Sequence, residues 1–474
     1  MDVPRLVRMQ TNVREFGSCP HACAPRNCLL PFLAALLLLL LFASAAWAQQ
    51  QDQTDVLSVD DAVKIALTNN RTLKIVSLNL GVQNQKLAAD KTKRLPSFDS
   101  YIFASQLLTP VSYTVPAGQF GIFPPPIGPI PASSNSITTG AHPTALVTLS
   151  ASQPLLTLYK INLHLRGQEL SVDQAAQQLR EQRLTVIDQV RQAYYKMLQI
   201  ENQIDSINAS IKQYDELDRI TLQYVSQQLA LESENLEVKS RLADEQLKLL
   251  KAQDKLETAK ESLNDLMGRE LETPFRTAAL SSVSAQEESL DAARATALQN
   301  NPQVAEAAID VKKATNARDL AKSQYIPDLN FSIHYSSPFG FDFVPLNVAS
   351  AGLEFRWEPW DWGRRKDEVN EKTINIEQSK LKLDSTKSQL LINVGDSFRS
   401  LQEARTAVVV AEAKQKASRE KLREVTLQYR EKTTLLRDVL QQQAAVDSAD
   451  SDYANAVAEF WSARASFQKA VGEE

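Results

Sequence analysis

Ala66-Leu67-Thr68-Asn69-Asn70 is written a second time in this chain, as Ala297-Leu298-Gln299-Asn300-Asn301. Leu95-Pro96 likewise returns as Ile326-Pro327, and Asp60, Ala62 and Lys91 return as Asp291, Ala293 and Lys322. Every match sits at one offset, 231 residues (66 to 297, 95 to 326), so the positions between are copied without a gap. A duplication of this kind predicts a fold built from two copies of one unit.

The first 48 residues read as a removable segment. Arg5, Arg8, Arg14 and Arg26 precede an apolar run from Leu29 to Phe42, and Ala46-Trp47-Ala48 forms a small-x-small cleavage site. That is a secretory signal peptide, since the run is short for a membrane span. The organisation expected is a signal peptide over 1–48, a first repeat over 49–273 and a second over 274–474. All three cysteines (Cys19, Cys23, Cys28) precede the cleavage site, so the mature chain is expected to have neither disulfide nor thiol chemistry. After Ala48 there remain 48 basic and 55 acidic residues, about −7, and no basic patch that would suit nucleic acid.

Proline is absent between Leu155 and Thr273 and again after Pro359. Long helices are therefore expected, interrupted by a few irregular segments. Each half reads helix, strand, loop, strand, helix, turn, helix. Ser58 or Asp60 can cap a helix running to about Arg94, where Pro96 stops it. A strand follows near Phe98–Leu107, and Thr109–His142, rich in Pro, Gly, Ser and Thr, reads as a long exposed loop. Thr144–Gln153 alternates with Leu146 as the exception. In the second half Leu329, Phe331, Ile333 and Tyr335 alternate with Asn330, Ser332, His334 and Ser336, and Leu353, Phe355 and Trp357 with Glu354, Arg356 and Glu358. Period two puts one apolar and one polar face on each strand.

The segment from Tyr159 to about Gln223 predicts a rod on the order of 95 Å, too long for a compact domain. Leu242, Leu249, Leu256 and Leu263 recur at seven, as do Val439, Val446, Tyr453, Phe460 and Phe467, each series accompanied by alanines. A sustained period of 3.5 predicts coiled-coil packing. Four strands per chain cannot close a barrel, and an open edge in lipid leaves backbone groups unpaired at several kcal/mol each. Strands in a membrane would require several chains to share one barrel. A soluble antiparallel sheet is the competing reading.

These features together resemble the TolC family of outer-membrane efflux proteins. The resemblance rests on the paired Ala-Leu-x-Asn-Asn, on Leu-Pro or Ile-Pro leading into a strand, and on the junctions Ser152-Gln153-Pro154-Leu155 and Trp357-Glu358-Pro359-Trp360-Asp361-Trp362-Gly363-Arg364-Arg365. Val190-Arg191-Gln192-Ala193-Tyr194, Leu266-Met267-Gly268 and Ala470-Val471-Gly472 add to it. It implies a mainly α fold of two structural repeats: a long, coiled-coil-like α-helical barrel plus four β-strands per chain contributing to a shared transmembrane β-barrel. It further implies a homotrimer in outer-membrane lipid, extending into the periplasm. Passive efflux or type I secretion would be energised by an inner-membrane pump through a periplasmic adaptor (membrane fusion) protein. Where the family commonly has glycine three residues after a tyrosine at the helix-turn-helix tips, this chain has Gln227 after Tyr224 and Lys432 after Tyr429. On that alignment the first tip is one residue longer than the second.

The tips supply the candidate sites. Glu234 and Asp438 are equivalent and lie just past the turns; the resemblance makes them a candidate acidic ring at a periplasmic gate, against the plainer reading of carboxylates at helix N-termini. Tyr224, Gln227, Tyr429, Arg430, Lys432 and Arg437 are candidate tip or adaptor contacts. Trp357, Trp360 and Trp362 suit an aromatic girdle at a membrane interface, or packing where strand meets helix. His142, His164 and His334 lack metal-ligand spacing, and there is no phosphate loop or nucleophile elbow. No cofactor, metal or enzyme activity is expected. The alternative to a channel is a periplasmic coiled-coil structural or adaptor protein without a pore.

Overall fold

The computed structural model describes residues 56–278, 289–340 and 345–473. The expected signal peptide over 1–48 lies outside them.

Each half opens on two short helices rather than one. In the first half these are α1 (Val59–Asn69) and α2 (Arg71–Lys91). Ser58 is the cap, accepting from the Asp61 amide at 3.1 Å. The expected unbroken helix to Arg94 is corrected at Asn70, whose backbone leaves the helical region (φ −56°, ψ 126°). The Asn70 side chain accounts for the break. Its oxygen accepts from Leu73 N (2.9 Å), capping α2, while its amide donates to Leu266 O (2.8 Å).

The strand that follows, β1 (Ser97–Gln106), pairs antiparallel with β2 (Pro143–Pro154). Between them, the segment expected to be an irregular loop is a folded hairpin. Val111–Val115 pairs with Asn135–Thr139, and Ile122–Phe123 pairs with Gly128–Pro129. Proline and glycine mark its turns without abolishing the ladder, which is why a purely compositional reading missed it. Next come α3 (Thr157–Ser226), 70 residues and about 105 Å long, and α4 (Glu232–Met267).

The second half repeats the order: α5 (Leu290–Asn300), α6 (Pro302–Ser323), β3 (Asp328–Phe339), β4 (Val348–Arg356), α7 (Arg364–Arg430) and α8 (Leu436–Val471). Ser289 caps α5 as Ser58 caps α1, and Asn301 accepts from Gln303 N at 2.9 Å and donates to Ala470 O at 3.4 Å. The duplicated Asn-Asn motif is thus a helix break docked on the last turn of its own half. Gly268 and Gly472 end α4 and α8 there in the left-handed conformation (φ +69° and +88°). A Cβ on Gly268 would lie 2.4 Å from Asn69 O, and one on Gly472 would lie 3.2 Å from Asn300 C.

The four strands form one antiparallel sheet in the order β4-β3-β2-β1. Its register puts Phe98, Ile102, Val147, Leu149, Phe331, Ile333, Leu353 and Phe355 on one face. The other face carries Ser97, Asp99, Thr148, Ser150, Ser152, Asn330, Ser332, His334, Glu354 and Arg356. Leu146 breaks the alternation because it lies on the polar face opposite Phe103. The helices lie side by side as α2-α3-α6-α7 next to the strands and as α4-α3-α8-α7 toward the turns. Val439, Val446, Ala449, Ala456, Phe460 and Phe467 are buried along α8, so the heptad stripe is a packing seam.

Gly268→Ala should lower stability by about 2 kcal/mol or more, from left-handed strain plus the clash with Asn69 O. Gly472→Ala, with a looser neighbour, should cost about 1 kcal/mol. Thermal unfolding followed by helical circular dichroism checks both. Equal losses would count against this reading of the dock.

Candidate functional site: the helical tips and the strand-to-helix junction

The turns at the two tips have the same length. Residues 227–231 join α3 to α4 and 431–435 join α7 to α8. The left-handed positions are Gln228 (φ +58°) and Lys432 (φ +60°). The expected extra residue in the first tip is therefore corrected. It came from aligning Tyr224 with Tyr429, whereas the backbone aligns Val225 with Tyr429. Gln227 is the C-cap residue of α3, and Gln228 carries the strained φ.

The structure brings four tip candidates into one cluster. The Tyr224 and Tyr429 rings lie 5.8 Å apart at 54°. The Tyr224 hydroxyl donates to Arg430 O at 3.0 Å, and Lys432 Nζ sits 5.5 Å from the centre of the Tyr224 ring. Arg430 also reaches Glu216 on α3 at 3.3 Å, which ties the two hairpins together. Tyr429 is buried beside Tyr214, Leu217, Ile220, Val238, Leu436 and Val439. Burial, then the Glu234 charge, pushes its hydroxyl up to about 12, so Tyr429 stays neutral at physiological pH.

Glu234 and Asp438 occupy the same place, the third residue of α4 and of α8. Asp438 Oδ2 accepts from the Thr434 hydroxyl (3.0 Å) and from the Leu435 amide (3.4 Å). Leu435 offers no side-chain acceptor in return, so only half of a capping box is made, and the Asp438 amide donates instead to Leu435 O at 3.0 Å. Arg437 Nε lies 3.6 Å from Asp438 Oδ1. The Thr434 hydrogen bond, helped by the Leu435 amide and Arg437, holds the Asp438 carboxyl below its ordinary value of 3.8. A charged, partly solvated carboxylate thus stands at the N-terminus of α8, which complements the helix dipole.

Sequence reasoning missed Glu216, Thr434 and Asn235. Asn235 is buried on α4 and donates to Asp218 Oδ1 (2.8 Å) and Thr221 Oγ1 (3.3 Å) of α3. A signal for it was present, because 235 lies one heptad before Leu242 in the apolar stripe.

At the other end of α7, Trp357, Trp360 and Trp362 are 54, 70 and 90% exposed, too open for packing residues of this chain alone. Trp360 and Trp362 meet edge to face at 5.7 Å. Beneath them Asp361 accepts from the Gly363 and Arg365 amides, each at 3.1 Å, and starts α7. Arg365 is buried, bonded to Glu358 at 2.8 Å and placed 5.7 Å from the Tyr325 ring centre. The Trp-rich motif is therefore a helix start with an aromatic outer surface. Among the described residues no group of His, Cys, Asp or Glu is arranged to hold a metal, and no helix is long and apolar enough to cross a membrane.

The family model for outer membrane efflux proteins matches residues 62–269 and 293–473, one match in each half. The chain belongs to the outer membrane efflux protein family. No curated protein sequence matches it significantly. Among solved structures, the outer-membrane channel OprN is similar over 90% of this chain and 92% of its own (TM-score 0.71, 16% identity). The CmeC outer membrane channel of Campylobacter jejuni is similar over 90% and 87% (TM-score 0.71, 15% identity). The open state of the MtrE outer membrane channel of Neisseria gonorrhoeae is similar over 88% and 89% (TM-score 0.67, 16% identity). The protein is an outer membrane efflux channel, lying in the outer membrane with a helical part that extends into the periplasm. Its family is one of channels, not enzymes.

The depressed Asp438 value implies a sign for pH. Its contribution to the tip is present above the unfolded value near 3.8 and is lost as pH falls through the lower folded value. Amide exchange at Leu435 and Asp438 should therefore quicken below about pH 4 in the wild type, relative to Asp438→Asn. Gln228→Gly should stabilise the first tip by about 1 kcal/mol by relieving the left-handed residue. Thermal unfolding reads that gain, and no gain would show that the turn is not strained there.

Proposed function

We propose that three copies of this chain share one barrel of twelve strands, continued by a tube of helices, and act as a passive exit duct. Residues 1–48 direct export and are removed, and residues 49–273 and 274–474 each supply two strands and two rods. The observation that carries the reading is the sheet itself, with β1 and β4 as open edges and one face covered in exposed apolar side chains. In lipid such edges must be paired. The same two flanks carry exposed apolar stripes on the helices: Ile75, Leu78 and Val82 on α2, and Ile374, Leu381 and Ile392 on α7. Edge-to-edge contact is head to tail, which forms a ring when the rotation from copy to copy closes. The count of three is carried by the family resemblance.

Passive transport needs an energy source elsewhere. We assign that to an inner-membrane pump coupled through a periplasmic adaptor, with Tyr224, Gln227, Tyr429, Arg430, Lys432 and Arg437 at the tip as adaptor or closure contacts. Three Asp438 and three Glu234 side chains would form an acidic constriction there, selecting cations. Trp357, Trp360 and Trp362 would sit as a girdle at the periplasmic membrane interface. A periplasmic spacer or adaptor without a pore has no use for the exposed apolar sheet face.

Purified protein should conduct in planar bilayers. A preparation that forms no pores and is released from cells without detergent would contradict the channel reading. Block by a trivalent cation added from the periplasmic side should weaken in Asp438→Asn. Unchanged block would leave Asp438 with its capping role alone.

A further inference from the structure

The two open edges of the sheet carry enough information to fix how they meet. In β1 the odd-numbered backbone groups turn toward β2, since the ladder continues to Leu107 N donating to His142 O at 3.1 Å. Phe98, Ser100, Ile102, Ala104 and Gln106 therefore direct their N–H and C=O groups to the open edge. Leu155 N donates to Leu329 O at 2.9 Å, so the odd residues of β3 face β2 and the even ones face β4. Asn330 opposite Glu354 is then a hydrogen-bonded pair, which leaves Ala349, Ala351, Leu353 and Phe355 facing the open edge of β4.

A second copy laid against β1 must match its even residues to the odd residues of β4. That parity also joins polar face to polar face. Two registers then keep nearly all of β4 paired. One sets Ser97 opposite Arg356 and Asp99 opposite Glu354. The other sets Asp99 opposite Arg356 and Tyr101 opposite Glu354. Within the chain Ser97, Ser152, Ser332 and Gly352 lie level, so these registers step the ladder by four or six residues per copy (352 to 356 or 358). Both steps fall near the usual strand tilt of barrels, about 35–45°, and charge decides between them.

Asp99 is the one charged residue of β1, and Glu354 and Arg356 are the only two of β4. The first register places two carboxylates directly opposite each other, which is destabilising; the second places opposite charges there. In the second the pair is of the non-hydrogen-bonded kind, with side chains at their closest. The Arg356 side chain is 81% exposed and meets only Glu354 of its own strand, at 3.2 Å, so it is available. We propose that adjacent copies join β1 to β4 in the register that sets Asp99 of one copy against Arg356 of the next. This rests on the shared barrel proposed above.

Cysteine pairs test the register directly, because the mature chain is expected to carry no thiol of its own. Non-hydrogen-bonded partners stand about 4.5 Å apart at Cα, within disulfide range. Under mild oxidation Asp99→Cys/Arg356→Cys should yield covalent dimers and trimers on a non-reducing gel, and Ser97→Cys/Arg356→Cys should not. The reverse pattern, or no linkage in either variant while trimers persist on a native gel, overturns the register and leaves the shared barrel standing. Monomers on that gel for the wild type overturn the barrel itself. The charge argument has its own readout: Asp99→Arg should reduce SDS-resistant trimers several-fold, and adding Arg356→Asp should restore them. Failure of the swap to restore them counts against the ion pair.

Discussion

An unpaired backbone amide in hydrocarbon costs several kcal/mol, and this chain has two strand edges full of them. β1 and β4 each have a neighbour on one side only. No other part of the described chain covers those edges, and the outward apolar face of the sheet suits lipid rather than water. Every larger feature follows from meeting that constraint. In the shared barrel proposed above the protomer is one slice of a ring, with α2 and α7 as its helical flanks next to the strands.

The duplication makes such a slice economical to build. Each half brings its Asn-Asn break back onto the last turn of its own final helix, where a left-handed glycine allows the close approach. That dock sets where the entry helices sit against the rods. The halves diverge at their exposed ends. One carries the long hairpin between β1 and β2, the other the exposed tryptophans before α7. At the tips, Asn235 in the first half stands where Val439 fills the seam in the second, and only Asp438 has the Thr434 hydroxyl as a partner.

The fold was legible because its signals are periodic and long. Alternation located the four strands, heptads located the rods, and absent proline set their length. What escaped was local and depended on side-chain hydrogen bonds. Asn70 breaks a helix whose composition reads as continuous, because the break is stabilised by a carbonyl far away in sequence, on Leu266; at Asn301 the following Pro302 marks the break as well. The hairpin over 111–139 was hidden by its prolines and glycines. The tip alignment failed on an anchor, Tyr224, that is displaced by one position from Tyr429, while the left-handed backbone positions keep the true register. The candidate tip residues were named from the family pattern. Their contacts, such as Arg430 with Glu216, required the two hairpins to be packed.

The central claim is that no single copy is a finished structure. Native mass spectrometry of the detergent-purified protein tests it most directly. The account predicts one dominant species at three times the mass of the mature chain. A stable monomer that retains the four-stranded sheet would contradict it.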